Sequence, residues 1–223
     1  MTDYEKYVSL TPKDVEELRR IMENCGINTS MYGQGQAKSI DQLFKEIEEK
    51  ESCLYIVPNR KLIRGVSVII IILRRSDGRY LREYKQFFHK TSNRDEYTRK
   101  RKSFVAEKRM AGERVDDAVK RALGEELELN EGDAILTSHH RCVEERESMS
   151  YPNLTTSYDT MYVLMDLKEK VKPIAEQDCF DITEYFNDGS PRLTTTWKWM
   201  DKKEFFDDEY EKTTFLKGKL WDM

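Results

Sequence analysis

The sequence predicts an α+β fold, a mixed sheet with helices on its faces, and three observations carry that reading. Leu62 to Leu73 is a near-continuous Val/Ile-rich run, as expected of a strand buried on both faces. The stretch 107–129 contains an amphipathic helical pattern, with strand-like runs on both sides. Two further helical patterns precede the first strand, giving the coarse order α-α-β-β-β-β-α-β-β-(α)-β-α. With 223 residues, the chain is long enough for one generous domain with a real core. We divide it into a helical N-terminal extension, 1–52, and a main domain, 53–223.

Taken in order, residues 1–10 read as a loose arm. Thr11-Pro12-Lys13-Asp14 offers a capping hydroxyl, a proline for the first helical position and an acid for the first turn. Val15, Leu18, Ile21 and Met22 follow at helical spacing, and Gly26 ends the helix. Residues 27–38 form a loop, where Gly33-Gln34-Gly35 is first a flexible connector and only second a phosphate contact. Ser39 to Gln42 is a capping-box pattern for a second helix with Leu43, Phe44 and Ile47 on one face. The remainder of that helix, from Lys45 on, reads as solvated charge.

Cys53 to Val57 is a short strand, followed by a turn at Pro58-Asn59. After the Leu62–Leu73 strand, Ser76-Asp77-Gly78-Arg79 predicts a hairpin, with Tyr80 to Phe88 as the returning strand. The polar segment that follows, with Arg99, Lys100, Arg101 and Lys102 in a row, reads as a solvated loop; attraction of a polyphosphate is the sharper alternative. Ser103 to Ala106 is a short strand. Asn130-Glu131-Gly132 is a turn, and Ala134 to Cys142 is a strand carrying His139 and His140 on opposite faces. The acids Glu144, Glu145 and Glu147 come after it. Tyr158 to Leu167 is another strand. Residues 170–193 look irregular, with a short acidic helix near Ile182 to Phe186. Thr194 to Met200 closes the sheet, with Trp197 and Trp199 on one face as core residues, and Asp201 caps a last helix at Lys202 to Phe206.

Composition excludes several functions. Charged residues are 36% of the chain and the net charge is −4, so there is no general positive field for nucleic acid. No apolar run is long enough to span a bilayer, and the start MTDYEKYVSL has no signal core. Cys25, Cys53, Cys142 and Cys179 are scattered, as expected of free thiols in a reducing, cytoplasmic setting.

The segment 107–129, EKRMAGERVDDAVKRALGEELEL, concentrates the chemistry. On a helical wheel of about 100° per residue, Val115, Val119, Leu123 and Leu127 share a core face. Ala118, Ala122, Glu125 and Glu126 lie beside it, with the alanines as an open floor that the carboxylates border. Glu126 falls close to the apolar arc, where a carboxylate needs a cation or hydrogen bonds. Arg121 is placed to pair with Glu125 four residues on. Clustered hard oxygens suit Mg²⁺ or Mn²⁺, although a solvated last helical turn explains the same acids.

This segment resembles the Nudix box, G-x5-E-x7-R-E-U-x-E-E-x-G-U, where U is a bulky apolar residue. Glu113, Arg121, Leu123, Glu125, Glu126 and Leu129 stand at matching positions with spacing preserved. Three positions depart: Glu107 replaces the first Gly, Ala122 the Glu after Arg, and Glu128 the last Gly. The resemblance implies a Nudix-like α/β/α sandwich with a mixed sheet, behind the N-terminal helical extension. It implies an Mg²⁺- or Mn²⁺-dependent hydrolase cleaving a nucleoside diphosphate linked to another group. Glu125 and Glu126 would hold the metal, Glu113 would orient that pair, and Arg121 would fix a carboxylate. Ala122 removes a residue that helps bind metal and activate water, so Glu145, or its neighbours Glu144 and Glu147, is nominated as the base. The expected partner is a phosphorylated small molecule such as a nucleotide diphosphate derivative, and a homodimer is a candidate assembly. The alternative is a catalytically impaired Nudix-like module that binds a nucleotide-type ligand or a protein.

Overall fold

The computed structural model describes residues 7–35, 37–58, 61–91, 95–171 and 174–206. Its strands are β1 (Val8–Leu10), β2 (Cys53–Val57), β3 (Lys61–Arg74), β4 (Tyr80–Phe88), β5 (Tyr97–Ser103), β6 (Val105–Lys108), β7 (Ala134–Glu147), β8 (Thr155–Leu167), β9 (Cys179–Tyr185) and β10 (Pro191–Met200). Its helices are α1 (Val15–Asn24), α2 (Ile40–Glu48), α3 (Val115–Leu127) and α4 (Lys202–Phe206). Two units emerge, one of residues 1–68, 108–118 and 141–161, the other of 69–107, 119–140 and 162–223. Strands β3, β6, β7 and β8 and helix α3 have residues in both.

In the first unit, β1, β2 and the start of β3 pair antiparallel, with Leu10 opposite Leu54 and Leu54 opposite Arg64. The expected loose arm therefore holds a strand at Val8–Leu10, whose backbone finds its partners in β2. Helix α1 starts later than Thr11. Its cap is Asp14, in extended conformation, whose carboxylate accepts from the Glu17 N–H at 2.7 Å. Helix α2 has its capping box: Ser39 Oγ accepts from Gln42 N–H, and Gln42 Oε1 accepts from Ser39 N–H. Leu18, Met22, Ile40 and Leu43 from these helices are buried in one cluster with Leu54, Leu62, Tyr151 and Leu154.

Glu46 corrects the solvated-face reading of α2. It is buried and meets Arg64 at 2.5 Å, Lys38 at 2.6 Å and Lys108 at 2.9 Å. Burial pushes its pKa up, but these three cations overcome that and hold it down at about 2.

In the second unit, β10 pairs antiparallel with β4 on one edge and β9 on the other, and β5 pairs with β4. The β3–β4 hairpin closes as expected: Arg74 faces Tyr80, and Gly78 turns at φ +85°. Ile69, Ile71, Ile72, Leu73, Leu81, Trp197 and Trp199 are buried here. Trp199 donates from Nε1 to the Ile174 carbonyl at 3.0 Å.

Two segments differ from the sequence reading. Residues 97–103 form strand β5 instead of a loop. Tyr97 stacks on Phe88 with ring centroids 4.5 Å apart, and Arg99 lies over Phe88 while donating to Gln86 at 2.8 Å. Residues 179–185 form strand β9 instead of ending in an acidic helix, because their backbone pairs with β10 along its length. Strand β7 also runs on past Cys142, so Glu144, Glu145 and Glu147 are strand residues. All four cysteines are free thiols. Among the described residues, no helix is long and apolar enough to cross a membrane.

Candidate functional site

The turn before α3 is built by its own residues. Gly112 takes φ +83°, Glu113 N–H donates to the Met110 carbonyl at 3.0 Å, and Met110 N–H donates back to Glu113 Oε2 at 2.9 Å. Neighbours in the first unit hold the segment leading to this turn. Arg109 N–H donates to Ser67 O, Ala111 N–H donates to Lys50 O, and Lys108 pairs with Glu51 at 2.7 Å.

At its far end, α3 closes with Leu129 N–H donating to Leu123 O and Glu128 N–H to Gly124 O. Glu128 has φ +56°, the left-handed conformation in which helices commonly terminate and glycine is least strained. That is the position where the resembled pattern has its last Gly. Glu128 thus takes a conformation that glycine adopts most readily.

The carboxylates lie in the second unit. Arg121 pairs with Glu107 of β6 at 3.2 Å and with Glu125 at 3.3 Å, as the four-residue spacing predicts for the latter. Glu125 is exposed, whereas Glu126 is half-buried. Burial, together with the charges of Glu107, Glu184, Glu83 and Glu125, raises the Glu126 pKa to about 7. Glu83 on β4 is 4% exposed. Arg101 donates to its Oε2 at 3.2 Å, while its Oε1 has no hydrogen-bond partner among the described residues. Burial raises the Glu83 pKa against the pull of Arg101 and Arg99.

The predicted residues therefore fall into two groups. Arg121 joins Glu107 and Glu125, and the charges of Glu107, Glu184, Glu83 and Glu125 act on Glu126. Glu113 and Glu145 belong to the first unit. There, the exposed carboxylate of Glu145 pairs with Lys61 at 3.6 Å, Glu144 pairs with Arg146, and Glu147 accepts from Asn153 N–H. The alanines are no open floor: Ala118 is 1% exposed and Ala122 is fully buried. Side-chain size alone does not say whether the space beside a small residue is empty or filled. Glu83 was missed because it is a lone acid in a strand, and Glu184 because its segment reads as a short acidic helix. Glu107 was noticed only as a missing glycine.

No family model matches the sequence, and no curated protein matches it. Solved structures do. A crystal structure of C. elegans Ap4A hydrolase is similar at 14% identity and a TM-score of 0.39, over 69% of this chain and 94% of that one. A MutT structure from a comparison of Aliivibrio salmonicida and Vibrio cholerae is similar at 16% identity and a TM-score of 0.27, over 61% of this chain and 80% of that one. At those values neither carries an argument, and the chemistry rests on this chain's own residues.

Those residues fit a hard divalent cation in donor type. Several carboxylates act on one half-buried glutamate, and one buried carboxylate oxygen is bare; a cation relieves both conditions. Among the described residues, no three His, Cys, Asp or Glu side chains form a ready-made metal cluster.

Proposed function

We propose that this chain is a Nudix-type pyrophosphohydrolase acting on a nucleoside diphosphate linked to another group, with Mg²⁺ or Mn²⁺ as cofactor. The observation that carries this reading is Glu126. It is half-buried at the end of α3, surrounded by like charges, at the position where the Nudix pattern has a metal-binding glutamate. Glu125 and Glu126 would hold the ion, which would neutralise charge on the diphosphate as water attacks phosphorus.

The chain's own residues prepare that site. Arg121 holds Glu125 and Glu107 by charge-assisted contacts and so limits the directions the Glu125 carboxylate can take. Glu126 is about half ionised near pH 7, so protons compete with the cation around and below that pH. Glu113, in the turn before α3, is proposed to orient the glutamate pair, and Glu145 remains the nominated base. The ligand is a phosphorylated small molecule. The boundary at 52–53, a cytoplasmic location and a homodimer are part of the same proposal.

The test is hydrolysis of a panel of nucleoside diphosphate derivatives with Mg²⁺ or Mn²⁺. Turnover of at least one is expected, together with its loss in Glu126→Gln and a fall in Glu145→Ala. No turnover of any compound, or turnover unchanged in Glu126→Gln, overturns the reading. The burial of Ala122 favours a second reading, an impaired module that binds its ligand without cleaving it. Saturable nucleotide binding by calorimetry with no turnover, and turnover gained in Ala122→Glu, would support it.

A further inference from the structure

We propose that the C-terminal end of α2 positions Glu113: Glu46, Lys50 and Glu51 act on it through Lys108 and Ala111. This rests on the Nudix-type reading, in which Glu113 orients the glutamate pair. Both sides of the contact belong to the first unit. Helix α2 closes in a Schellman motif, with Glu51 N–H donating to Glu46 O at 2.9 Å and Lys50 N–H to Ile47 O at 3.1 Å. Lys50 is the left-handed residue of that motif, at φ +60°, without being glycine. Its carbonyl accepts from Ala111 N–H at 3.1 Å. The same closure ties the backbones of Glu46 and Glu51 together, and their carboxylates share the Lys108 ammonium at 2.9 and 2.7 Å.

Lys108 is a third cation on Glu46, which Arg64 and Lys38 already meet at 2.5 and 2.6 Å. Neutralising Glu46 therefore does not require it, and its second bond, to Glu51, does nothing for Glu46. What the two bonds fix is the chain that follows Lys108. Arg109 N–H donates to Ser67 O at 2.9 Å and Ala111 N–H to Lys50 O, so Met110 is held from both sides. Met110 N–H is the donor that meets Glu113 Oε2 at 2.9 Å, and Glu113 N–H returns to Met110 O at 3.0 Å. The direction of the Glu113 carboxylate is thus set by a backbone amide whose neighbours are fastened to α2 and β3. A displacement of about 1 Å, started far from the chemistry, can lower an enzyme's rate about a hundredfold.

The experiment compares the full chain with Lys108→Met and Lys108→Arg. On the nucleoside diphosphate derivative that the wild type turns over with Mg²⁺, Lys108→Met should lower kcat roughly tenfold or more and leave KM within about twofold. Lys108→Arg keeps a cation between the two carboxylates and should restore most of kcat. Hydrogen exchange is the second readout. The Ala111 amide should exchange roughly tenfold faster or more in Lys108→Met, while the Leu43 amide inside α2 stays protected. A merely structural Lys108 would lower the Tm and leave kcat per folded chain as it was. Unchanged kcat, unchanged Ala111 exchange, or an equal loss of kcat in Lys108→Met and Lys108→Arg overturns the proposal, and the Nudix-type reading stands. If the wild type turns over no compound of the panel, that reading fails and the role given to Glu113 goes with it. Should Lys108→Met not fold, Glu51→Gln, at the partly exposed end of the contact, replaces it. The same fall in kcat is then expected, and an unchanged kcat overturns the proposal.

Discussion

At Glu128 a bulky charged residue sits at φ +56°, where an L side chain costs roughly 1–2 kcal/mol that glycine does not incur. Glu128→Gly should therefore stabilise the folded chain by about 1 kcal/mol, a Tm rise of a few degrees by calorimetry. Glu126 gives the opposite kind of effect. Its folded pKa, about 7, lies above its ordinary value of 4.5, so the folded chain holds that proton more tightly than the unfolded one. This contribution to stability is fully present below about pH 4.5 and lost as pH rises to about 7, on the order of 2–3 kcal/mol in all. Without divalent ion, the Tm should fall across that window, and Glu126→Gln should remove that part of the slope. The sequence announced Glu126, since the helical wheel set it beside the apolar arc. Glu83 was silent, because a single acid in YLREYKQFF reads the same whether it faces water or the interior.

Elements were legible where local chemistry decides them and illegible where pairing does. The capping box of α2 and the Asp-Gly hairpin were read directly, because each is satisfied within four residues. Strands β5 and β9 were not, since both borrow their order from β4 and β10. Their polar sequences carry little period-2 signal on their own. Helix α2 was found but its face was misjudged, because Arg64 and Lys108, which bury Glu46, lie on other elements. Removing the Glu46 charge leaves the buried Arg64 without its carboxylate, a loss of roughly 3–5 kcal/mol. Glu46→Gln should thus lower the Tm by on the order of 10 °C. The Glu46 pKa of about 2 keeps this contribution present above about pH 4.5, and it is lost as pH falls toward 2.

For the molecule as a whole, the α+β class and most strands could be read from hydrophobic patterning, while the division into two units could not. Each unit draws on segments far apart in sequence, and periodicity reports only on neighbours. The first 52 residues contribute Leu18, Met22, Ile40 and Leu43 to a cluster with Leu54, Leu62, Tyr151 and Leu154. A chain starting at residue 53 would expose the other half of that cluster. It should be recovered as aggregate or, in circular dichroism, without a cooperative melt.

The register of β10 against β4 sets Trp197 directly across from Glu83, with Trp199 two residues further along, both sealed from solvent. Indole emission shifts to shorter wavelength when the ring is withdrawn from water. The two sealed tryptophans should therefore give a blue-shifted emission band that moves to the red when β4 and β10 separate, so this chain carries an optical probe of that strand pair.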